Sequence, residues 1–203
     1  MDQPLPSALW RDIEHIQSIA GVQEMLRLIC ISTGMGFSAV ARVTSDHWVA
    51  CSVLDQINFG MKVGGELKVE TTICNLIRDS KKEVLFDDIS NEDNTVYRAV
   101  AANYGFKSYA SFPIILDNGN VFGTLCAIDP RANPLSNRTT TAMFRLFALW
   151  IALRFEESKP SPAFMLEANR VLEAIAQQAP AETSALVNRL VQEMKTLLLD
   201  WAA

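Results

Sequence analysis

An α+β fold is predicted: an antiparallel sheet with terminal helices on one face and short inserted helices covering a pocket on the other. Three observations predict it. Apolar residues recur at helical spacing at both ends of the 203-residue chain. Two pairs of β-rich runs, each joined by a short polar turn, lie between those ends. Two short stretches of helical character separate the pairs.

Each element follows in order. Leu9, Trp10, Ile13, Ile16 and Ile19 form one helical stripe; Gly21 punctuates, and Val22, Met25, Leu26, Ile29 and Cys30 resume it, so Ser7 to Met35 reads as helical. From Phe37 to Pro134 the chain is strand-rich. Phe37 to Thr44 and His47 to Leu54 flank Ser45-Asp46, a hairpin signal. Thr71 or Thr72 can cap a short helix over Ile73–Ser80, with Ile73, Leu76 and Ile77 on one face. Glu83 to Asp87 reads as a single strand, Asp88 to Thr95 as polar loop, and Val96 to Asn103 as a helix ending before Gly105. Ser108–Leu116 and Val121–Asp129 form a second hairpin around Asp117-Asn118-Gly119-Asn120, where Asn-Gly favours the primed turn that matches strand twist. Gly123 inside that last strand predicts a bulge or a close backbone approach, and Pro113 an edge or strand-end position. Helical pattern returns over Ser136–Glu157, Ala163–Gln177 and Glu182–Trp201, broken at Ser158 to Pro162 and at Ala179-Pro180.

Composition removes several classes of function. The 18 basic and 23 acidic residues leave a net charge of −5, which gives no general attraction to nucleic acid or anionic lipid. The 4 cysteines, Cys30, Cys51, Cys74 and Cys126, are widely spaced and sit in apolar surroundings, a pattern of reduced, buried thiols. With only 2 histidines, His15 and His47, and no C-x-x-C pair, no structural zinc site is expected. The N-terminus lacks the basic region and apolar run of a signal peptide, and the apolar Met143–Phe155 segment is interrupted by Arg145 and Arg154. A soluble, cytoplasmic protein is expected, without nucleic-acid or membrane partners.

Local strings carry a family resemblance. They are Glu70-Thr-Thr-Ile-Cys-Asn75, Val84-Leu-Phe-Asp-Asp88, Tyr104-Gly-Phe-Lys-Ser-Tyr-Ala-Ser-Phe-Pro113 and Gly119-Asn-Val-Phe-Gly-Thr-Leu-Cys-Ala-Ile-Asp129. Their order and content over about Gly21 to Phe155 resemble the GAF domain of bacterial sensor kinases. The resemblance implies a small-molecule-sensing regulatory module, without catalytic residues or metal, over residues 1–158 and followed by a helical extension over 163–203. The implied ligand contacts are Thr72, Cys74, Asp88, Tyr97, Tyr109, Ser111, Thr124 and Cys126. Strand alternation places Tyr109 with Ser111, and Thr124 with Cys126, on one face of their respective strands. Arg98 and Tyr104 are further residues able to stack on or bond a ligand. The acidic Glu83, Asp87, Asp88, Glu92 and Asp93 lack the order of a calcium loop and read as a solvated loop.

The family also offers alternatives. A thiol-dependent reductase of free methionine sulfoxide would use Cys74, at a helix start where its pKa would fall. The second inserted segment, Asn94 to Asn103, holds no cysteine to serve as that family's resolving thiol. Phytochrome-type domains attach bilin through a cysteine usually followed by histidine; the region around Val96-Tyr97 has neither, so covalent bilin is not expected and the cofactor is unknown. The cyclic-nucleotide signature of other GAF domains is also missing. A third reading is a ligand-free dimerisation module. Val187, Leu190, Met194, Leu197 and Trp201 form a short a/d seam, and Phe164, Ala168, Val171, Leu172 and Ile175 an apolar stripe. These helices fold back on the domain or pair in a homodimer that passes a signal to an output protein.

Overall fold

The computed structural model describes residues 5–156 and scattered positions between 161 and 196. The seam and stripe residues of the C-terminal extension lie outside the described residues. The order of elements is α1 (Ser7–Ser18), α2 (Val22–Thr33), β1 (Phe37–Val43), β2 (Trp48–Asp55), β3 (Glu66–Leu67), α3 (Ile73–Ser80), β4 (Val84–Phe86), α4 (Thr95–Tyr104), β5 (Ser108–Ile115), β6 (Val121–Asp129) and α5 (Arg138–Phe155). All strand pairings are antiparallel, in the spatial order β3-β2-β1-β6-β5-β4. This is the predicted α+β architecture. One strand was not predicted: β3, whose 2 residues pair with Trp48 and Val49.

Period-two alternation builds two cores, one on each face of the sheet. Val40, Val49, Phe112 and Leu125 pack against α1, α2 and α5, with the Phe112 and Phe144 rings 4.9 Å apart. Ala39, Ala41, Trp48, Tyr109 and Cys126 face the other way, under α3 and α4. At β6 the alternation changes phase. Register slips between Ile114 and Ile115, which oppose Gly123 and Val121 and leave Phe122 without a β5 partner. This bulge lets Phe122 join the α-helical face while Thr124, two residues on, points to the other. Glycine is required there, because a Cβ on Gly123 would lie 1.9 Å from the Ala41 carbonyl oxygen.

The β5–β6 turn differs from the primed turn expected of Asn118-Gly119. Only Gly119 has positive φ (+77°); its N–H donates to Leu116 O at 2.8 Å, and Leu116 N–H donates to Asn120 O at 2.9 Å. The Leu116–Asn120 bond leaves a three-residue loop, Asp117 to Gly119, in which a single left-handed glycine after an ordinary turn reconciles it with strand twist. Pro113 sits where β5 has run beyond β4, whose pairing ends at Ser111, so its missing N–H costs no ladder bond on that side.

Candidate ligand site

Thr72 caps α3 by accepting from Asn75 N at 3.3 Å, and this sets the rotation of the helix. Ile73, Cys74 and Ile77 are thereby buried, whereas Leu76, expected on the same face, is 39% exposed. Cys74 and Ile77 are three apart and fill the sheet-facing stripe, leaving Leu76 on its flank.

Cys74 Sγ is the meeting point of the site. Thr124 Oγ1 donates to it at 3.2 Å, Tyr109 Oη lies at 3.4 Å and Ser111 Oγ at 3.7 Å. Cys126, opposite Ser111 in the ladder, lines the same cavity as Cys74. The neighbouring Cys126 thiol does most to lower the Cys74 pKa; burial opposes it, and Thr124, Tyr109 and Trp48 add to the lowering. Cys126 moves up, held protonated by its bond to Cys74 and by burial. Tyr109 also moves up, chiefly through burial, and stays a neutral donor. On the opposite face Cys51 is pushed up to about 12 by burial and Cys30 is raised for the same reason. All 4 cysteines are free and buried, as their apolar surroundings suggested.

Beside Cys74 lies a cavity of about 40 Å³, walled by Phe37, Trp48, Tyr109, Cys126 and the α3 and α4 side chains. Its surface is almost wholly apolar, and Trp48 in its wall carries a buried Nε1–H that makes no well-formed hydrogen bond among the described residues, though it sits close enough to Cys74 to help hold that thiol's pKa down. Five side chains, Phe59, Leu67, Tyr104, Phe106 and Ile128, line both this cavity and an open cleft of about 510 Å³ beyond it. Phe59 is positioned by its loop, whose Ile57, Phe59 and Gly60 N–H groups all donate to the Asp55 carboxylate at 2.8–3.2 Å. Tyr104 is tied by a 2.5 Å hydrogen bond between its hydroxyl and Thr71 Oγ1.

The structure thus brings together Thr72, Cys74, Tyr109, Ser111, Thr124 and Cys126, and sets apart the other two candidates. Tyr97 stacks on Phe86 with centroids 6.2 Å apart, behind the cavity wall. Asp88 sits at the surface and accepts from Ser90 N at 2.9 Å, capping a short 3-10 turn, so its carboxylate is already engaged. Asp87 is likewise structural, accepting from Leu135 N and Ser136 N at 2.8 and 2.7 Å. Trp48, Phe37, Phe59 and Phe106 were missed as site residues. Alternation on β2 could have flagged Trp48; Phe59 lies in irregular chain with no period to read. Among the described residues no group of three or more His, Cys, Asp or Glu could hold a metal ion.

One face of the sheet thus lies under terminal helices, and the other is roofed by two inserted helices over a half-open cavity. The GAF domain family model matches residues 19–155, and the chain belongs to that family. No curated protein sequence matches it. Solved structures share the fold. The GAF domain region of a putative membrane protein from Geobacter sulfurreducens PCA has 16% identity and TM-score 0.55, covering 73% of this chain and 97% of that one. The chromophore-binding domain of an unusual bacteriophytochrome from R. palustris has 11% identity and TM-score 0.56, covering 72% and 60%. A type II free methionine-R-sulfoxide reductase from Thermoplasma acidophilum has 11% identity and TM-score 0.53, covering 71% and 95%. At such identities the likeness is one of fold.

Proposed function

We propose that this GAF domain is a non-catalytic sensor that binds a small, largely apolar molecule between the sheet and α3–α4. The observation that carries the reading is the apolar, largely aromatic cavity, with Trp48 in its wall and the buried Trp48 Nε1–H in no well-formed hydrogen bond. A buried donor without an acceptor costs about 1–3 kcal/mol, and a ligand carbonyl or ring nitrogen would remove that cost. At about 40 Å³ the cavity admits only water-sized molecules as it stands. Rotation of Phe59 and Tyr104 would join it to the 510 Å³ cleft, which is within the usual size range of small-molecule sites. Breaking the Tyr104–Thr71 bond on entry would give the two roof arrangements different ligand affinities, the condition for a ligand to shift an equilibrium. The reading includes a cytoplasmic homodimer signalling to an output partner through its terminal helices. Among the described residues no helix is long and apolar enough to cross a membrane.

The test is a titration of the indole-¹⁵N-labelled protein with bicyclic aromatic ketones and lactams. The Trp48 N–H resonance is expected to move downfield and saturate, and Trp48→Phe to weaken binding about fivefold, one neutral hydrogen bond's worth. Saturable binding that leaves the Trp48 resonance in place would remove the assignment. A second reading, the methionine sulfoxide reductase, is favoured by the lowered Cys74 pKa alone. Turnover of free methionine sulfoxide that disappears in Cys74→Ser would replace the sensor reading with it.

A further inference from the structure

We propose that Cys74 and Cys126 form a reversible disulfide, with hydrogen peroxide as oxidant, that ties α3 to β6 across the floor of the cavity. The proposal is independent of any larger ligand, because it uses the cavity at its present size. Three observations lead to it. The thiols come from different elements yet share neighbours: Cys74, in the first turn of α3, lies 3.7 Å from Ser111 Oγ and 3.2 Å from Thr124 Oγ1, while Cys126, on the pocket face of β6, is opposite Ser111 and two residues from Thr124. Both line the same cavity, whose 40 Å³ suits a molecule little larger than water.

The third observation is the asymmetry of the donors. A neutral thiol in an apolar core needs few and weak partners; Cys51, for instance, donates to the Val49 carbonyl at 3.8 Å and meets no side-chain hydroxyl among the described residues. Cys74 instead meets Thr124 and Tyr109 hydroxyls at 3.2 and 3.4 Å, with Ser111 at 3.7 Å and the Cys126 thiol beside them. Donors gathered on one sulfur stabilise it as thiolate, the form that attacks peroxide. Cys126 keeps its proton and is the resolving thiol.

The steps balance. The Cys74 thiolate attacks one peroxide oxygen; the O–O bond breaks, hydroxide leaves and takes up the proton Cys74 had lost, and Cys74 becomes a sulfenic acid. The Cys126 sulfur then attacks the Cys74 sulfur; the S–S bond forms, the S–O bond breaks, and the oxygen leaves as water with the Cys126 proton. Two thiols are oxidised to one disulfide, and one hydrogen peroxide is reduced to two waters.

The experiment exposes the full chain to stoichiometric hydrogen peroxide and reads intact mass and non-reduced peptide maps. A mass loss of two hydrogens per chain, one Cys74–Cys126 linked peptide, and recovery with dithiothreitol are expected. Cys126→Ser should stop at a Cys74 sulfenic acid, trapped by a cyclic 1,3-diketone, and Cys74→Ser should leave Cys126 unmodified. An unchanged mass, a bond involving Cys30, Cys51 or a second chain, or accumulation of Cys74 sulfinic acid with Cys126 still free would each overturn the proposal. The wild-type map decides even where a variant fails to fold.

Discussion

Asp129 closes the sheet at the scale of a single residue. Its fully buried carboxylate accepts from Gly36 N at 2.8 Å, Arg131 N at 2.8 Å and Arg131 Nε at 2.9 Å, joining the start of β1 to the end of β6. Burial would raise its pKa, but the hydrogen bonds from Arg131 and Gly36 together outweigh it and the net shift is downward. Arg131 is 70% exposed, so the Coulomb share is screened and the fixed backbone donors matter more. A depressed folded pKa contributes stability that is present above the unfolded value and lost as pH falls through the folded one. Asp129→Asn should therefore cost about 2 kcal/mol at neutral pH. The gap to wild type should narrow on acidification, read from urea unfolding at stepped pH; a gap that stays constant would contradict the account. Such residues differ in how visible they are in a bare sequence. Cys74 and Tyr109 could be placed from helix start and strand parity. The bareness of Trp48 Nε1 could not, since it depends on what β2, α3 and β5 bring near it. Asp88 misled because an acidic residue beside a pocket motif looks the same whether it meets a ligand or caps a turn.

Elements were legible where a period repeats. β1, β2, β5 and β6 fall within a residue or so of their expected ends, because alternation and turn residues mark both limits. β3 was not, because two residues carry no period, and its pairing comes from the loop 62–65 being drawn to β2 through Gly64 N–Ala50 O and Ala50 N–Gly65 O bonds of 2.8 and 2.9 Å. The β6 bulge lies between these cases: Gly123 announced it, but its consequence for side-chain phase needed the register. Since a Cβ at Gly123 would strike backbone rather than a pliable side chain, Gly123→Ala should destabilise by about 3 kcal/mol. It should also disturb Thr124, and with it the donor set of Cys74. Urea unfolding measures the first effect and Cys74 alkylation kinetics the second; a variant matching wild type in both would show that the strands can separate without cost.

For the whole molecule, fold class and family were readable because the order of helices and hairpins admits few packings. The ligand was not, since the cavity is a joint product of the sheet, two helices and the irregular loop carrying Phe59. The placement of β6 has a further consequence, for biosynthesis. The last strand made is a central one: β1 residues 37–42 wait for β6 residues 123–128 before the middle of the sheet can exist. Until then β1 offers an open ladder edge, and the nascent chain can form a β1–β2 hairpin and its helices but no continuous sheet. Pulse proteolysis of ribosome-stalled chains should show protection appearing abruptly once β6 and α5 have cleared the exit tunnel. Protection that grows steadily at shorter lengths would mean the N-terminal half folds alone. A translation pause just before Val121 would prolong the exposed state, and chaperone demand should peak there.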